Sequence, residues 1–314
     1  ADYAPAHGNQ SMILLRRGDF EAGWREYEWR FRQHVADFFS TFTQPRWHGE
    51  DPSGKTILLH AEQGFGDTVQ FCRYVPLVAA RNARVLLQVG KPMVSLMRSL
   101  QGTAAVLAKG EPLPAFDMHC PLMSLPLVFG TRLESIPAAI PYLTADPARV
   151  AAWGEALGPR RSLRIGIAWS GSVRPSNDGR RSIALATFLS AIPEHAEIHT
   201  LQKDVLPADA ATLAAHPAIH DHTAAQTSFA EAAALMAHMD IILSIDTSLA
   251  HLAGALGKTT RTLLPYVSEW RWLEHRTDSP WYPTMRLFRQ DRPGDWGPVL
   301  ATVREALAAL STAQ

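Results

Sequence analysis

The chain has 314 residues, 46% of them hydrophobic, and 30 Lys and Arg balanced by 30 Asp and Glu. That composition describes a soluble globular protein of about two domains and excludes disordered and fibrous classes. Zero formal charge without a block of like charge argues against nucleic acid as a partner, because neutralising phosphates needs clustered Lys and Arg. Cys72 and Cys120 have neither C-x-x-C nor metal-ligand spacing, which suits a reducing compartment and a cytoplasmic address. No apolar run reaches the roughly 18 residues that span a bilayer, and Ala1 to Pro5 are not a signal peptide. Any membrane role, such as one at the inner membrane, is therefore expected to be peripheral.

Residues 1–48 read as a helical segment. Asn9, Met12, Leu15, Phe20, Ala22, Trp24 and Tyr27 set out two short helices about a turn at Gly18 and Asp19. Their order resembles a tetratricopeptide repeat of about 34 residues. One repeat cannot bury both faces, so it is expected either to pack on the next domain or to end an array whose earlier repeats lie outside this sequence, with a surface for a protein partner. The alternative is a plain N-terminal helical hairpin with aromatic core contacts.

From Lys55 the pattern changes to short apolar runs alternating with helices. Strands are expected at 56–60, 83–89, 104–107 and 116–119, with helices at 68–80 and 92–100. Runs that are apolar on both sides and separated by helices indicate a parallel sheet covered on both faces. Residues 141–162, with Pro141, Asp146, Pro147, Gly158 and Pro159 around a short helix, read as a connector. A second alternation follows, with strands at 163–169, 198–201, 240–245 and 260–264 and helices at 185–191, 229–238 and 248–256. The fold class is α/β, with two Rossmann-like, doubly wound domains, 49–145 and 146–314, facing a cleft. In such sheets ligands bind beyond the carboxyl ends of the strands, so function is sought in those loops.

After the first strand comes Glu62-Gln63-Gly64-Phe65-Gly66-Asp67-Thr68. Gly64 and Gly66 permit close approach to a ligand, and Asp67 or Thr68 can cap the helix that follows. The dinucleotide fingerprint fails because its third glycine would fall at Val69. The strand ending at Ile245 delivers Asp246-Thr247-Ser248-Leu249-Ala250-His251, where hydroxyls and backbone amides at a helix start make a phosphate site. An ordinary capped helix explains Asp246 but leaves His251 without a task. Gly166 to Ser172 runs into a polar loop closing with Arg180-Arg181-Ser182. Ser170 and a guanidinium such as Arg181 suit a diphosphate. Lys203, at the end of a strand, is a further cation or a solvated charge. No third metal ligand joins His220-Asp221-His222, and no D-x-D pair occurs. The aromatic residues Trp270, Trp272, Trp281 and Tyr282 read as packing, in part as a binding wall.

Three stretches together, Gly64 to Gln70, Arg181-Ser182-Ile183, and Asp246 to Gly257, resemble the glycosyltransferase family of lipopolysaccharide heptosyltransferases, family 9, and in particular bacterial proteins in which that domain follows tetratricopeptide repeats. The resemblance covers about residues 50 to 310. It implies a GT-B fold, with the acceptor on the N-terminal domain and a nucleotide-sugar on the C-terminal one. It implies Asp67 as general base beside an acceptor-side loop of Gly64 and Gly66. Arg181 maps to the donor phosphates, where a lysine is often found, and Asp246, Thr247, Ser248 and His251 surround the donor, with Ser248 in place of a usual glycine. Ser170 and Lys203 complete the expected donor set. The function implied is inverting, metal-independent transfer of a sugar from a nucleotide-sugar to a glycan or protein acceptor, without a cofactor. The competing reading is a catalytically silent, repeat-linked scaffold that keeps a nucleotide-binding cleft. An epimerase is disfavoured by the missing fingerprint.

Overall fold

The computed structural model describes residues 2–32, 42–171 and 178–311. Ser172, in the loop after the strand at 163–169, and residues 33–41 of the expected N-terminal helical segment lie outside the described residues. Two units emerge, one of residues 1–143 with 269–276 and the other of residues 144–268 with 277–314.

The first unit begins with helices α1 (Ala4–Arg17) and α2 (Phe20–Tyr27). Gly18 ends α1 in the left-handed conformation at φ 86°, and Asp19 caps α2 by accepting the Ala22 amide. The turn expected at Gly18 and Asp19 is thus observed. A Cβ at Gly23 would stand 2.6 Å from Leu15 Cδ2, so glycine there is what lets the two helices approach. Phe20, Trp24 and Tyr27 lie one helical turn apart and are all buried. Trp24 donates its indole N–H to the Thr131 carbonyl at 3.0 Å. The hairpin is therefore part of the unit's core.

Next come β1 (Thr56–His60), α3 (Phe65–Phe71), α4 (Val75–Ala79), β2 (Arg84–Val89), α5 (Val94–Met97), β3 (Thr103–Ala108), β4 (Met118–Pro121) and α6 (Leu125–Val128). The strands form a four-stranded parallel sheet in the order β3-β2-β1-β4. In central β1, Ile57, Leu58 and Leu59 are wholly buried, as a run apolar on both sides requires. The fourth strand runs two residues later than its pattern suggests. Helix α3 starts at Phe65 rather than Thr68, because Gly64 is its N-cap.

In the second unit lie α7 (Pro147–Leu157), β5 (Arg164–Ala168), α8 (Asp178–Arg181), α9 (Leu185–Phe188), β6 (Glu197–Thr200), α10 (Pro207–Ala215), β7 (Ile219–His220), α11 (Phe229–Ala237), β8 (Ile241–Ile245), α12 (Ser248–Ala255), β9 (Thr260–Leu264), β10 (Met285–Arg289) and α13 (Gly297–Ser311). The sheet has six parallel strands in the order β10-β9-β8-β5-β6-β7. Its core gathers Ile165, Ile167 and Trp169 with Phe188, Leu243, Leu263, Val303 and Leu307. Both units are thus doubly wound α/β, and β5, β6 and β8, neighbours in the second sheet, present their following loops at one end.

Candidate functional site

In the first unit the candidate base sits at the third position of α3. The Asp67 carboxylate reaches back, and its Oδ2 accepts the Gly64 N–H at 2.8 Å. A side chain at Gly64 would crowd that oxygen, since its Cβ would lie 3.2 Å away. Gly66 falls within the first turn of the helix. Asp67 is therefore a helix cap as well as a candidate base, and it remains part-exposed. Its other oxygen accepts from Arg271 Nη2 in an ion pair. Arg271 stands 204 positions along the chain, and no local pattern marks it.

Behind this loop lies a buried charged cluster. Arg30, just after α2, donates Nε and Nη2 to the two carboxylate oxygens of Glu62 at 3.1 and 2.9 Å. Glu62 Oε1 also accepts the Met123 N–H at 3.2 Å. Burial opposes the charge on Arg30, but the carboxylates of Glu62 and Glu28 outweigh it and raise its pKa above the ordinary value. Gln63 donates to the Tyr27 hydroxyl at 2.9 Å. Helix α2 and its extension thus hold the start of the glycine loop from below.

The second unit builds its candidate site on the turns after β5, β6 and β8. Ser170 follows β5 and is buried. Gln202, after β6, accepts the Trp169 and Ser170 amides on Oε1 at 3.2 and 2.9 Å, and donates to Ser170 Oγ at 2.5 Å and the Asp204 carbonyl at 2.6 Å. That clasp needs Leu201 to lie over β5, where a Cβ on Gly166 would meet it at 2.7 Å. Gln202 is a site residue that the sequence reading passed over for its neighbour Lys203, which is exposed. Arg181 closes α8 half-buried, and the next residues return to β5. The Ile183 amide donates to the Trp169 carbonyl at 3.0 Å, and Gly171 donates to Ser182 Oγ at 3.2 Å.

At the end of β8 the cap is Thr247 rather than Asp246. Its hydroxyl accepts the Leu249 amide at 3.3 Å and lies 3.3 Å from Ser244 Oγ. Asp246 is buried at the strand end, and Thr247 and Ser248 stay half-buried at the start of α12. One turn on, His251 is 4% exposed and its Nδ1 is 2.9 Å from the Tyr282 hydroxyl. Tyr282 lies against Gly254, where a Cβ would come within 2.4 Å of its ring. The aromatic stretch thus divides. Trp281 and Tyr282 are buried in the second unit, while Trp270 packs in the first on Trp24, at 5.3 Å between ring centres. Ser170 and Gln202 are directly joined, as are His251 and Tyr282.

Among the described residues, no group of three or more His, Cys, Asp or Glu is arranged to hold a metal ion. His220 and His222 do meet a third histidine, His199, but as a stack. His199 Nδ1 is 3.0 Å from His222 Nε2, and the three rings are nearly parallel. Burial, and then the neighbouring His220 and His222, push the His199 pKa down to about 3. No described helix is long and apolar enough to cross a membrane.

Residues 207–301 match the model of glycosyltransferase family 9 (heptosyltransferase), a stretch that contains β8, the Asp246 to Ser248 turn, α12 and Tyr282. A family 9 glycosyl transferase from Veillonella parvula superposes with a TM-score of 0.59 over 83% of this chain and 98% of its own, at 10% identity. The E. coli ADP-heptose lipopolysaccharide heptosyltransferase II gives 0.58 over 82% and 99%, at 14% identity. The chain is glycosyltransferase family 9-like. At such identities these structures establish the shared fold, two parallel-sheet α/β domains of the GT-B kind. Protein FlbA of Caulobacter vibrioides is 26% identical over 340 residues, covering 98% of this chain and 55% of FlbA. The family 9-like chain thus spans about half the length of that relative.

Proposed function

We propose that the protein is an inverting glycosyltransferase that takes a sugar from a nucleotide-sugar donor and passes it to a glycan or protein acceptor. The observation that carries this reading is the place of the family match. It runs over the β8–α12 turn, where Thr247 opens a helix beside a buried carboxylate and His251 is fixed by Tyr282. A helix N-terminus at the carboxyl end of a parallel strand favours an anionic group.

In this reading the donor diphosphate lies against the start of α12. Ser170, Thr247 and Ser248 donate hydroxyl hydrogen bonds, and Arg181 and Lys203 meet the charge. Asp246 and His251 hold sugar hydroxyls or the phosphate edge. Transfer develops negative charge on the leaving diphosphate, which these cations and the helix dipole stabilise without calling on a metal. On the first unit Asp67 takes the acceptor proton as the glycosidic bond forms, with Gly64 and Gly66 shaping the acceptor-side loop. The α1–α2 hairpin is the proposed remnant of a tetratricopeptide array. Tyr3, Met12 and Ile13 are exposed on or beside α1, a surface suited to a protein partner. A cytoplasmic location, with any membrane contact peripheral, belongs to the same proposal.

The test is a thermal-shift panel of nucleoside diphosphate sugars, led by ADP-heptose because the E. coli neighbour is an ADP-heptose enzyme. At least one sugar nucleotide should raise the melting temperature, and more than its free sugar does. A panel in which none moves it removes donor binding, and with it the proposal.

A further inference from the structure

Residues 269–276 belong to the first unit although the chain on both sides belongs to the second. The excursion places Arg271, about nine-tenths buried, against α3. Its Nε donates to Gln70 Oε1 at 2.8 Å, its Nη1 to Glu269 Oε2 at 3.2 Å, and its Nη2 to Asp67 Oδ1. The guanidinium lies 4.5 Å from the centre of the Trp270 ring. That ring is seated on Trp24, at 5.3 Å, and Phe71, at 6.2 Å between centres. Asp67 and Gln70 are three apart on one helix and so share a face, and Arg271 bridges them.

A carboxylate offers about four lone-pair positions. Gly64 N–H takes one on Oδ2 and Arg271 takes one on Oδ1, which leaves one on each oxygen in a fixed direction. We infer that Arg271 is the positioning residue for Asp67. It locks the carboxylate rotamer so that a remaining lone pair is presented to the incoming hydroxyl, and the wholly buried Gln70 holds the guanidinium in plane. The inference rests on the assignment of Asp67 as the base. Arginine suits the task because its planar fork engages two partners at once, whereas a lysine ammonium is a single point charge.

The experiment compares the full-length wild type with Arg271→Ala, Arg271→Lys and Asp67→Asn by hydrogen exchange and by turnover of ADP-heptose. In Arg271→Ala the peptide covering residues 62–71 should exchange at least about tenfold faster, while peptides over β2 and β5 keep their protection. Arg271→Lys, which keeps the charge and the fold, should recover part of that protection. With ADP-heptose as donor, kcat should fall about 100-fold in Arg271→Ala while KM for the donor changes less than about threefold, and added guanidinium should restore part of the loss. Unchanged exchange at 62–71 in both Arg271 variants overturns the inference, whether or not ADP-heptose is turned over. So does near-wild-type kcat in Arg271→Ala when Asp67→Asn is inactive. Normal turnover in Asp67→Asn sinks instead the assignment of the base, and leaves the exchange result to judge whether Arg271 holds the carboxylate.

Discussion

His251 Nδ1 and the Tyr282 hydroxyl stand 2.9 Å apart, both buried, and the tyrosine ring fits there because residue 254 has no side chain. The geometry separates two substitutions. Gly254→Ala puts a Cβ 2.4 Å from Tyr282 Cδ1, so the ring must move. Overpacking of this kind costs about 1–3 kcal/mol, seen as a lower denaturant midpoint. Tyr282→Phe keeps the ring and removes the hydroxyl that meets His251 Nδ1, a loss of about 1 kcal/mol. If His251 serves the donor, Tyr282→Phe should weaken sugar-nucleotide affinity beyond that small change in stability, as isothermal titration would measure. Equal affinity in wild type and Tyr282→Phe would leave the histidine a structural residue.

The pair of Arg30 and Glu62 predicts asymmetric mutational costs. Both are buried and joined by two hydrogen bonds. Arg30→Met leaves the Glu62 charge uncompensated and should destabilise the fold by about 3–5 kcal/mol. The double variant Arg30→Met with Glu62→Gln should recover a good part of that loss. Urea midpoints of the wild type and the two variants decide it, and a double variant no better than the single one would mean that the pair does not act as a unit.

Acid should destabilise the protein earlier than carboxylate titration alone predicts. His60 is buried, and burial followed by the proximity of His119 lowers its pKa to about 3. The unfolded chain takes up that proton near pH 6.5, whereas the native state cannot do so until about pH 3. Between those values the unfolded state binds more protons, so stability falls as pH falls, by about 1.4 kcal/mol per pH unit for each such histidine. His199, depressed to about 3 in the second unit, adds in the same sense. His60→Gln should flatten the fall of melting temperature between pH 6 and pH 4, a range that lies inside both limits. An unchanged slope in that variant would show that His60 does not carry the effect.

Elements with a strong local pattern were legible in the sequence. The runs 56–60 and 241–245 are apolar on both sides, and both are central strands buried on two faces. Strand β10 sets Arg286 and Arg289 three apart among apolar residues at a sheet edge, behind a proline- and tryptophan-rich stretch, and its pattern is weak. Two further helices carry local signals of their own. Pro207 opens α10, and Val299, Val303 and Leu307 repeat every fourth residue along α13. The turns bearing Asp67, Ser170 and Asp246 were readable because loops after parallel strands are the expected places. The pairings of Asp67 with Arg271, Ser170 with Gln202 and His251 with Tyr282 were not, since each joins residues 31 or more apart, a choice made by tertiary packing.

The two halves of the proposed chemistry should separate by mutation. Asp67→Asn keeps the size of the side chain, and its one acceptor oxygen can serve either Gly64 or Arg271, but an amide cannot take the acceptor proton. Donor binding should therefore stay within about threefold of wild type while turnover falls by about 100-fold or more, the usual contribution of general base catalysis. Arg181→Ala makes the opposite prediction. A phosphate contact that strengthens as the diphosphate leaves contributes both to binding and to the barrier, so donor affinity and kcat should both decline. Measuring donor Kd and kcat for the two variants side by side decides the matter, and EDTA should leave wild-type turnover unchanged if the cations and the helix terminus suffice. Full turnover in Asp67→Asn, or full donor affinity in Arg181→Ala, would take that residue out of its assigned role.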